Sequence, residues 1–324
     1  MQRVKERAIS LLASGEVDRV LGWKAGEFFY DLTPAVFTSA AEAEKDFVYS
    51  VFSGANLSKY LIAESRRGGK IAVFLKPCDS YSFVQLLKEH RILRENVYAV
   101  GVQCDGMCDI EKFRQHGASG VTAVEGEGDT LCARTIYGDV AVRRADVLLG
   151  KCEACKSRKI VCFDELIGQQ GEEQDTARFA EVERLERMTP EERFAFWRGE
   201  LSRCIRCNAC RNVCPACSCE KCVFDNHESG VQNKAAASSF EENLFHIIRA
   251  FHVASRCTDC GECSRVCPQH IPLHLLNRKF IKDINELYGD YQAGADFTTR
   301  PPLMDFDKGD CEPSVVYQRG GADV

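Results

Sequence analysis

The sequence lacks several features that would place it in common classes of protein. No apolar run approaches the roughly 18 residues of a membrane-spanning helix, so no transmembrane segment is expected. The N-terminus has the pattern of an amphipathic helix and not that of a secretory signal. The net charge of −6 argues against nucleic acid as a partner, because nucleic acid selects basic surfaces. A cytoplasmic protein is therefore predicted.

Familiar catalytic and nucleotide-binding motifs are also missing. The chain has no nucleophile elbow, no H-E-x-x-H and no constellation of paired carboxylates, which argues against hydrolytic chemistry. It has no G-x-G-x-x-G after a strand and no Walker A lysine. The short segments Arg67-Gly68-Gly69 and Phe52-Ser53-Gly54 are not phosphate-binding fingerprints, and Gly68 fits a helix C-cap. The sequence therefore has no motif that supports binding of a flavin such as FAD.

Cysteine, in contrast, is abundant, with 19 residues in a chain of 324. Without secretion, clustered cysteines indicate metal or redox chemistry in a reducing compartment. The length allows about two domains. Composition and apolar periodicity predict a mixed α/β domain over residues 1–168, a charged helical linker over 169–200, a cysteine-rich domain over 201–287 and an extended tail over 288–324.

The most specific feature is a cysteine motif that occurs twice in the last third of the chain. Its copies are Cys204-x2-Cys207-x2-Cys210-x3-Cys214-Pro215 and Cys257-x2-Cys260-x2-Cys263-x3-Cys267-Pro268. This is the spacing by which bacterial-type ferredoxins hold two 4Fe–4S clusters, with the fourth cysteine of each copy bound to the other cluster. The predicted ligands are Cys204, Cys207, Cys210 and Cys267 for cluster 1, and Cys257, Cys260, Cys263 and Cys214 for cluster 2.

Paired C-x2-C units also bind zinc, so zinc is the competing interpretation of this motif. The long segment between the copies favours a helical form of ferredoxin, because apolar residues recur in it at helical spacing: Leu244, Ile247, Ile248 and Phe251. Upstream, Thr189-Pro190-Glu191-Glu192 predicts the start of a helix, with Thr189 as its N-cap.

A third site is predicted in the N-terminal domain. The runs KIAVFLKP, DSYSFVQLLKEH and NVYAVGVQC predict a strand, a helix and a second strand parallel to the first. Cys78 and Cys104 would then meet at one carboxyl edge of the sheet, where open α/β sheets carry their ligands. The C-x2-C pair Cys152 and Cys155 would complete a four-thiolate site. Zinc and buried structural thiols are the alternatives.

The segments LKPCDSYSFVQLLKEHRI, VYAVGVQCDG and GKCEACKSRKIVCFDELIG resemble the beta subunit of deazaflavin-coenzyme-dependent hydrogenases and formate dehydrogenases. That resemblance implies a third 4Fe–4S cluster bound by Cys78, Cys104, Cys152 and Cys155, with Cys108 competing for the place of Cys104. Those beta subunits also bind a flavin. The segment RCTDCGECSRVCPQHIPL resembles the α-helical ferredoxin subunit of heterodisulfide reductases and the iron–sulfur subunit of succinate dehydrogenases.

Other cysteines and the histidines have no assigned role. Cys217, Cys219 and Cys222 follow the first motif closely and could form another metal site, replace a ligand or tune the clusters through S–H donors. Three isolated cysteines are interpreted as structural: Cys132, Cys162 and Cys311. Three histidines near the motifs are not predicted as ligands: His246, His252 and His270.

Together these features predict a non-catalytic electron-transfer subunit of an anaerobic oxidoreductase complex, passing single electrons through two or three 4Fe–4S clusters. The implied partners are a catalytic dehydrogenase or hydrogenase subunit, a flavin-containing heterodisulfide-reductase-like subunit, or both. Two alternatives stay open. One is a flavin-bearing subunit that itself exchanges hydride with a carrier, and the other is a zinc-stabilised interaction module.

Overall fold

The computed structural model describes residues 1–126, 128–226, 239–305 and 307–310, with backbone alone at 239–242. The chain divides into two compact units, Met1–Arg178 and Phe179–Val324. The helices of the first unit are α1 Gln2–Ala13, α2 Ala40–Asp46, α3 Leu61–Glu64, α4 Pro77–Lys88, α5 Ile110–Gln115 and α6 Gly150–Glu153. Its strands are β1 Arg19–Ala25, β2 Leu32–Phe37, β3 Ile71–Leu75, β4 Val97–Val102, β5 Val121–Glu125, β6 Thr130–Thr135, β7 Gly138–Arg143 and β8 Glu165–Ile167.

The first unit is built on a five-stranded sheet with the order β2-β1-β3-β4-β8. Strand β2 is antiparallel to β1, and the other neighbours are parallel. A separate antiparallel sheet has the order β5-β6-β7. All five residues of the central strand β3 are buried, as expected for a parallel strand covered on both faces. The predicted α/β domain with a partly parallel sheet is confirmed.

The predicted strand–helix–strand unit is present as β3, α4 and β4. Ile71 pairs with Val97 and Leu75 with Gly101 in parallel register. Helix α4 begins with Pro77, whose fixed φ suits the first helical position. The structure therefore places Cys78 in the first turn of α4, beyond the carboxyl end of β3. Cys104 lies just beyond the end of β4, so both thiols are at the predicted edge of the sheet.

The described part of the second unit contains helices and no strand: α7 Ala180–Glu186, α8 Pro190–Leu201, α9 Ala209–Asn212, α10 Ser239–Val253, α11 Glu262–Arg265 and α12 His274–Tyr288. The predicted cap of α8 is confirmed. Glu192 N donates to Thr189 Oγ1 at 3.2 Å, and Thr189 N donates to the Glu192 carboxylate at 2.9 Å. The predicted helical ferredoxin architecture is confirmed.

Helix α10 forms where the apolar spacing predicts a helix. The four regularly spaced apolar residues do not form its buried face, because Leu244 and Ile248 are half-buried and Ile247 and Phe251 are 44% and 61% exposed. The buried face instead carries Phe245, His246, Arg249 and Val253. Helix α10 therefore turns two polar side chains, His246 and Arg249, toward the cysteine motifs.

The segment after α12 begins by packing on its own unit. Tyr291 is buried beside Ile284, and its hydroxyl donates to Ser255 O at 2.9 Å. Residues 289–305 and 307–310 form turns and irregular backbone without helix or strand. Over the described ranges, no helix is both long and apolar enough to cross a membrane.

Candidate iron–sulfur sites

The two cysteine motifs share one backbone conformation. The residue before the second cysteine has positive φ in each copy, 54° at Arg206 and 57° at Asp259. The residue after it does so as well, 62° at Asn208 and 67° at Gly261. Left-handed backbone is costly for most residue types, and its repetition at matching positions indicates that both loops are held to one shape. The short helices α9 and α11 then begin at the same place in each copy.

The ligands predicted for cluster 1 lie around one cavity. Its walls include thiols from both motifs, Cys204, Cys207, Cys210 and Cys267, together with Phe245 and His246 of α10. Cys210 and Cys267 are buried, whereas Cys207 is exposed. The structure therefore brings the last cysteine of the second motif to the first three cysteines of the first motif.

The ligands predicted for cluster 2 are also close together. Cys214 packs with Val253 and Cys257 in a small buried group. Burial raises the pKa of Cys257 well above its usual value, and Asp259 and then the Cys214 and Cys260 thiols raise it further. Burial likewise raises the pKa of Cys263, and the Cys214 thiol adds to the effect. Cys214 thus lies among the cysteines of the other motif.

The surroundings of these thiols fit 4Fe–4S clusters. Four cysteinates around a cubane make an anionic site, which favours N–H donors and cations nearby. Arg206 N donates to Cys204 Sγ at 3.4 Å, and Asn277 Nδ2 lies 3.8 Å from Cys263 Sγ. His246 Nε2 is 3.2 Å from Cys204 Sγ. Burial raises the pKa of Cys210 to about 12, so binding of a cationic iron core must replace the thiol proton.

Charge interactions link the four cysteines predicted for the third site. Burial raises the pKa of Cys104 to about 12, and the Cys152 and Cys155 thiols contribute in the same direction. Burial also raises the pKa of Cys78, with a further contribution from Cys104 and opposing ones from Lys151 and Lys76. Two lysines near these four half-buried cysteines supply positive charge that suits an anionic cluster.

Cys104 and Cys108, the two candidates for the fourth thiol, lie in different environments. The pKa of Cys104 responds to Cys152 and Cys155, and the pKa of Cys78 responds to Cys104. Cys108 is 3% exposed in the hydrophobic core, and its backbone N donates to Val51 O at 2.7 Å. Among Cys78, Cys152 and Cys155, only Cys152 is a cause of the raised pKa of Cys108.

Gly106 allows the loop between Cys104 and Cys108 to pass close to Cys152. Its φ is +98°, and a Cβ there would lie 2.5 Å from Leu148 Cδ2 and 3.6 Å from Cys152 Cβ. The next residue, Met107, donates its backbone N–H to Cys152 Sγ at 3.4 Å. A side chain at Gly106 would therefore disturb the approach of that loop to the thiol.

The extra cysteines after the first motif occupy three different environments. A hydrogen bond with Cys217 is the main cause of a lowered pKa at Cys214, so Cys217 acts on a predicted ligand. Cys222 lies beside Arg211, and Cys219 is exposed. Of the isolated cysteines, Cys132 is in β6, Cys162 lies near Arg94 and Cys311 falls outside the described residues.

Sequence reasoning missed the polar residues that surround the thiols. His246 and Arg249 are one turn apart on α10 and are 1% and 2% exposed. His252 and His270 are exposed. In the first unit, Lys76 is 1% exposed and bonds Asp79 Oδ2 and Ala55 O, both at 2.8 Å. The available signal was a histidine and an arginine at i, i+3 within the mainly apolar second half of the helix between the two motifs.

Comparison with known proteins shows what the chain is similar to. Residues 200–271, which contain both cysteine motifs, match the family model of the 4Fe-4S dicluster domain. It is similar along most of its length to the F420-dependent formate dehydrogenase subunit beta of Methanocaldococcus jannaschii, at 26% identity over 92% of both chains. It is also similar to the F420-dependent formate dehydrogenase 1 subunit beta of Methanococcus maripaludis, at 25% identity over 90% of both chains.

The predicted resemblance to formate dehydrogenase beta subunits is thereby confirmed. Among solved structures, the xenon-derivatised F420-reducing NiFe hydrogenase complex from Methanosarcina barkeri has a chain that matches at 17% identity. That match covers 46% of this chain and 57% of the other, with a TM-score of 0.37, and no argument rests on it. The predicted likeness to heterodisulfide reductase stays a prediction.

Proposed function

We propose that this chain is the electron-transfer subunit of a cytoplasmic formate dehydrogenase-like complex. It relays single electrons between a catalytic partner subunit and the site where the deazaflavin coenzyme F420 reacts. The observation that carries the proposal is the crossed arrangement of the cysteines. Cys267 of the second motif lines the cavity of Cys204, Cys207 and Cys210, as a dicluster ferredoxin requires.

The ligands follow from the same arrangement. Cluster 1 is bound by Cys204, Cys207, Cys210 and Cys267, and cluster 2 by Cys257, Cys260, Cys263 and Cys214. A third cluster is bound by Cys78, Cys104, Cys152 and Cys155. When bound, each cluster accepts and releases one electron, while the protein sets the reduction potential through charge, hydrogen bonds and burial. The exposed Cys207 makes cluster 1 the point of exchange with a partner.

The experiment is to measure iron, acid-labile sulfide, zinc and flavin in anaerobically purified protein, with EPR spectra after dithionite reduction. About twelve iron and twelve sulfide per chain support three cubanes. About eight of each leave the dicluster domain and overturn the third site. Zinc with little sulfide overturns electron transfer and favours the zinc-stabilised interaction module.

A cavity in the first unit favours a second function, that of a flavin-bearing subunit that exchanges hydride with F420. The cavity has a volume of about 420 Å³ and lies against Val102, Cys104, Gly106, Arg144 and Gly168. It is at the carboxyl edge of the parallel strands, where such sheets bind ligands, and its volume is within the usual range for cofactor sites. A flavin there would lie beside Cys104, close enough for exchange with the third cluster.

Flavin release on denaturation tests this function directly. The matched variant is Gly106→Leu, which adds a side chain to the cavity wall; Gly138→Leu in the separate β5-β6-β7 sheet adds the same side chain where no atom lies within 4 Å. If the cavity holds the flavin, the first variant loses flavin and the second keeps it, while the iron and sulfide content of both stays that of the wild type. Loss of iron from Gly106→Leu would instead report the disturbed loop beside Cys152. Equal flavin content in both variants, or none in the wild type, argues against the site.

A further inference from the structure

Arg249 is a buried cation whose guanidinium nitrogens Nε, Nη1 and Nη2 all lack a hydrogen-bond partner among the described residues. The residue is 2% exposed. Cys263 Sγ is close to the guanidinium, yet it does not meet hydrogen-bond geometry with it. Burial of an unpaired charge costs several kcal/mol, so a cation in this position indicates a negative group that completes the site.

The position of Arg249 on α10 shows where that negative group belongs. One turn before it, Phe245 and His246 line the cavity of cluster 1. One turn after it, Val253 packs against Cys214 and Cys257 of cluster 2. Because residues three and four apart share a helix face, Arg249 points into the space between the two sets of thiols.

Charge effects agree with this placement. After burial, the positive charge of Arg249 is the strongest influence on the pKa of Cys210, a ligand of cluster 1, and it lowers that pKa. It acts in the same direction on Cys214 and Cys263, which belong to cluster 2. The Cys263 and Cys210 thiols are in turn the largest charges that favour the protonated guanidinium.

We propose that Arg249 is a positioning residue shared by the two clusters, which neutralises part of the negative charge of both and raises both reduction potentials together. Reduction adds negative charge to an already anionic site, and a fixed cation nearby favours the reduced form. Since the guanidinium lies between the sites, it also lessens the repulsion that an electron on one cluster exerts on an electron entering the other. One buried side chain thereby keeps the two potentials close.

The proposal rests on the proposed pair of clusters, and the iron and sulfide content of the wild type tests that pair separately. The experiment is an EPR-monitored redox titration of the full-length protein with Arg249→Met, Arg249→Gln and Arg249→Lys. The matched control is Arg198→Met, which removes an exposed arginine from α8 of the same unit. The control is expected to leave both potentials unchanged.

In Arg249→Met and Arg249→Gln, the equilibrium constant for reduction of each cluster should fall at least about tenfold, which is about 59 mV for one electron. Arg249→Lys, which keeps the charge, should recover part of that loss. Unchanged potentials with both clusters in place overturn the proposal, and a shift at one cluster alone overturns the shared role.

Loss of clusters in the variants is also decisive. If Arg249→Met and Arg249→Gln fail to retain iron and sulfide while Arg249→Lys retains them, the requirement is for positive charge, and the proposal stands. If Arg249→Lys also loses them, shape and packing at this position matter and charge does not. That outcome overturns the proposal while leaving the wild-type cluster content, and so the proposed function, intact.

Discussion

His246 Nε2 lies 3.2 Å from Cys204 Sγ inside the second unit, and the imidazole is almost fully buried. Burial, with the nearby charges of Arg249 and Arg206, lowers the pKa of His246 to about 3. The ring is therefore neutral at physiological pH. Because a cysteinate accepts hydrogen bonds and does not donate them, Nε2–H is the donor.

Loss of this donor is expected to lower the potential of cluster 1 alone. His246→Leu should decrease the equilibrium constant for its reduction by up to about tenfold, or about 59 mV, because hydrogen bonds to cluster sulfurs stabilise the reduced form. His246→Gln, which keeps an N–H donor, should have a cluster 1 potential between those of His246→Leu and the wild type. An EPR-monitored titration measures both potentials. An equal shift at cluster 2 would contradict a role confined to Cys204.

The crossed ligand sets make a second prediction, which concerns pairs of variants. Cys267→Ala and Cys204→Ala should abolish the same EPR signal, and Cys214→Ala should abolish the signal that is lost in Cys257→Ala. Each variant should lose up to about four iron per chain. If instead Cys267→Ala matched Cys257→Ala, each motif would hold its own cluster and the crossed assignment would be wrong.

Features set by residues close in sequence were predictable, whereas features set by contacts in the folded chain were not. Cysteine spacing is local, so the two motifs and the helical segment between them were predictable. Two β-rich apolar runs predicted β3 and β4, and apolar residues at helical spacing predicted α4. The buried face of α10 was not predictable, because hydrophobic periodicity assumes that a helix packs on an apolar core. This helix packs on thiols, and its inner positions are occupied by His246 and Arg249.

A similar limit applies to Lys76, which the sequence places at the end of an apolar strand. Its ammonium group lies 4.4 Å from the centre of the Trp23 ring and bonds Asp79 Oδ2. The burial of Lys76 is explained by Asp79, three residues later, because its carboxylate turns back and pairs with the ammonium group. Both groups are at most 1% exposed, and each compensates the charge of the other.

Removal of one partner from this pair should destabilise the first unit. Lys76→Met leaves Asp79 charged and buried, which typically costs about 3–5 kcal/mol of unfolding free energy. The measurement is denaturant unfolding followed by Trp23 fluorescence in a Trp197→Phe background, since these are the chain's two tryptophans. The double variant Lys76→Met with Asp79→Asn should lose less unfolding free energy than Lys76→Met, because no uncompensated charge is left.

The matched control for that prediction is Lys24→Met. Lys24 Nζ is 2.9 Å from Asp46 Oδ2, but its side chain is 49% exposed. Exposed ion pairs contribute at most about 1 kcal/mol, so the unfolding free energy of this variant should be close to that of the wild type. Similar losses of unfolding free energy in Lys24→Met and Lys76→Met would show that burial of the Lys76–Asp79 pair does not determine its contribution to stability.

His274 predicts how the second unit responds to acid. Its Nδ1 lies 2.8 Å from Ser264 Oγ, and that oxygen also accepts from His274 N at 3.0 Å. The serine hydroxyl can donate to Nδ1 when that nitrogen is unprotonated, and a protonated Nδ1 removes that acceptor. Burial and then the charge of Arg278 lower the pKa of His274 to about 4, against weaker opposing effects of Asp259 and Glu181.

In the unfolded chain this histidine titrates near pH 6.5, so at lower pH the unfolded state binds more protons than the folded state. The contribution to stability is complete above about pH 6.5 and is lost as the pH falls toward about 4, reaching a loss of about 1–2 kcal/mol at pH 5. The thermal midpoint of the anaerobic holoprotein should therefore fall between about pH 7 and pH 5. His274→Asn, which keeps a hydrogen-bonding side chain beside Ser264 but does not titrate, should show a smaller fall. Equal pH dependence in the two proteins would mean that other groups govern the response to acid.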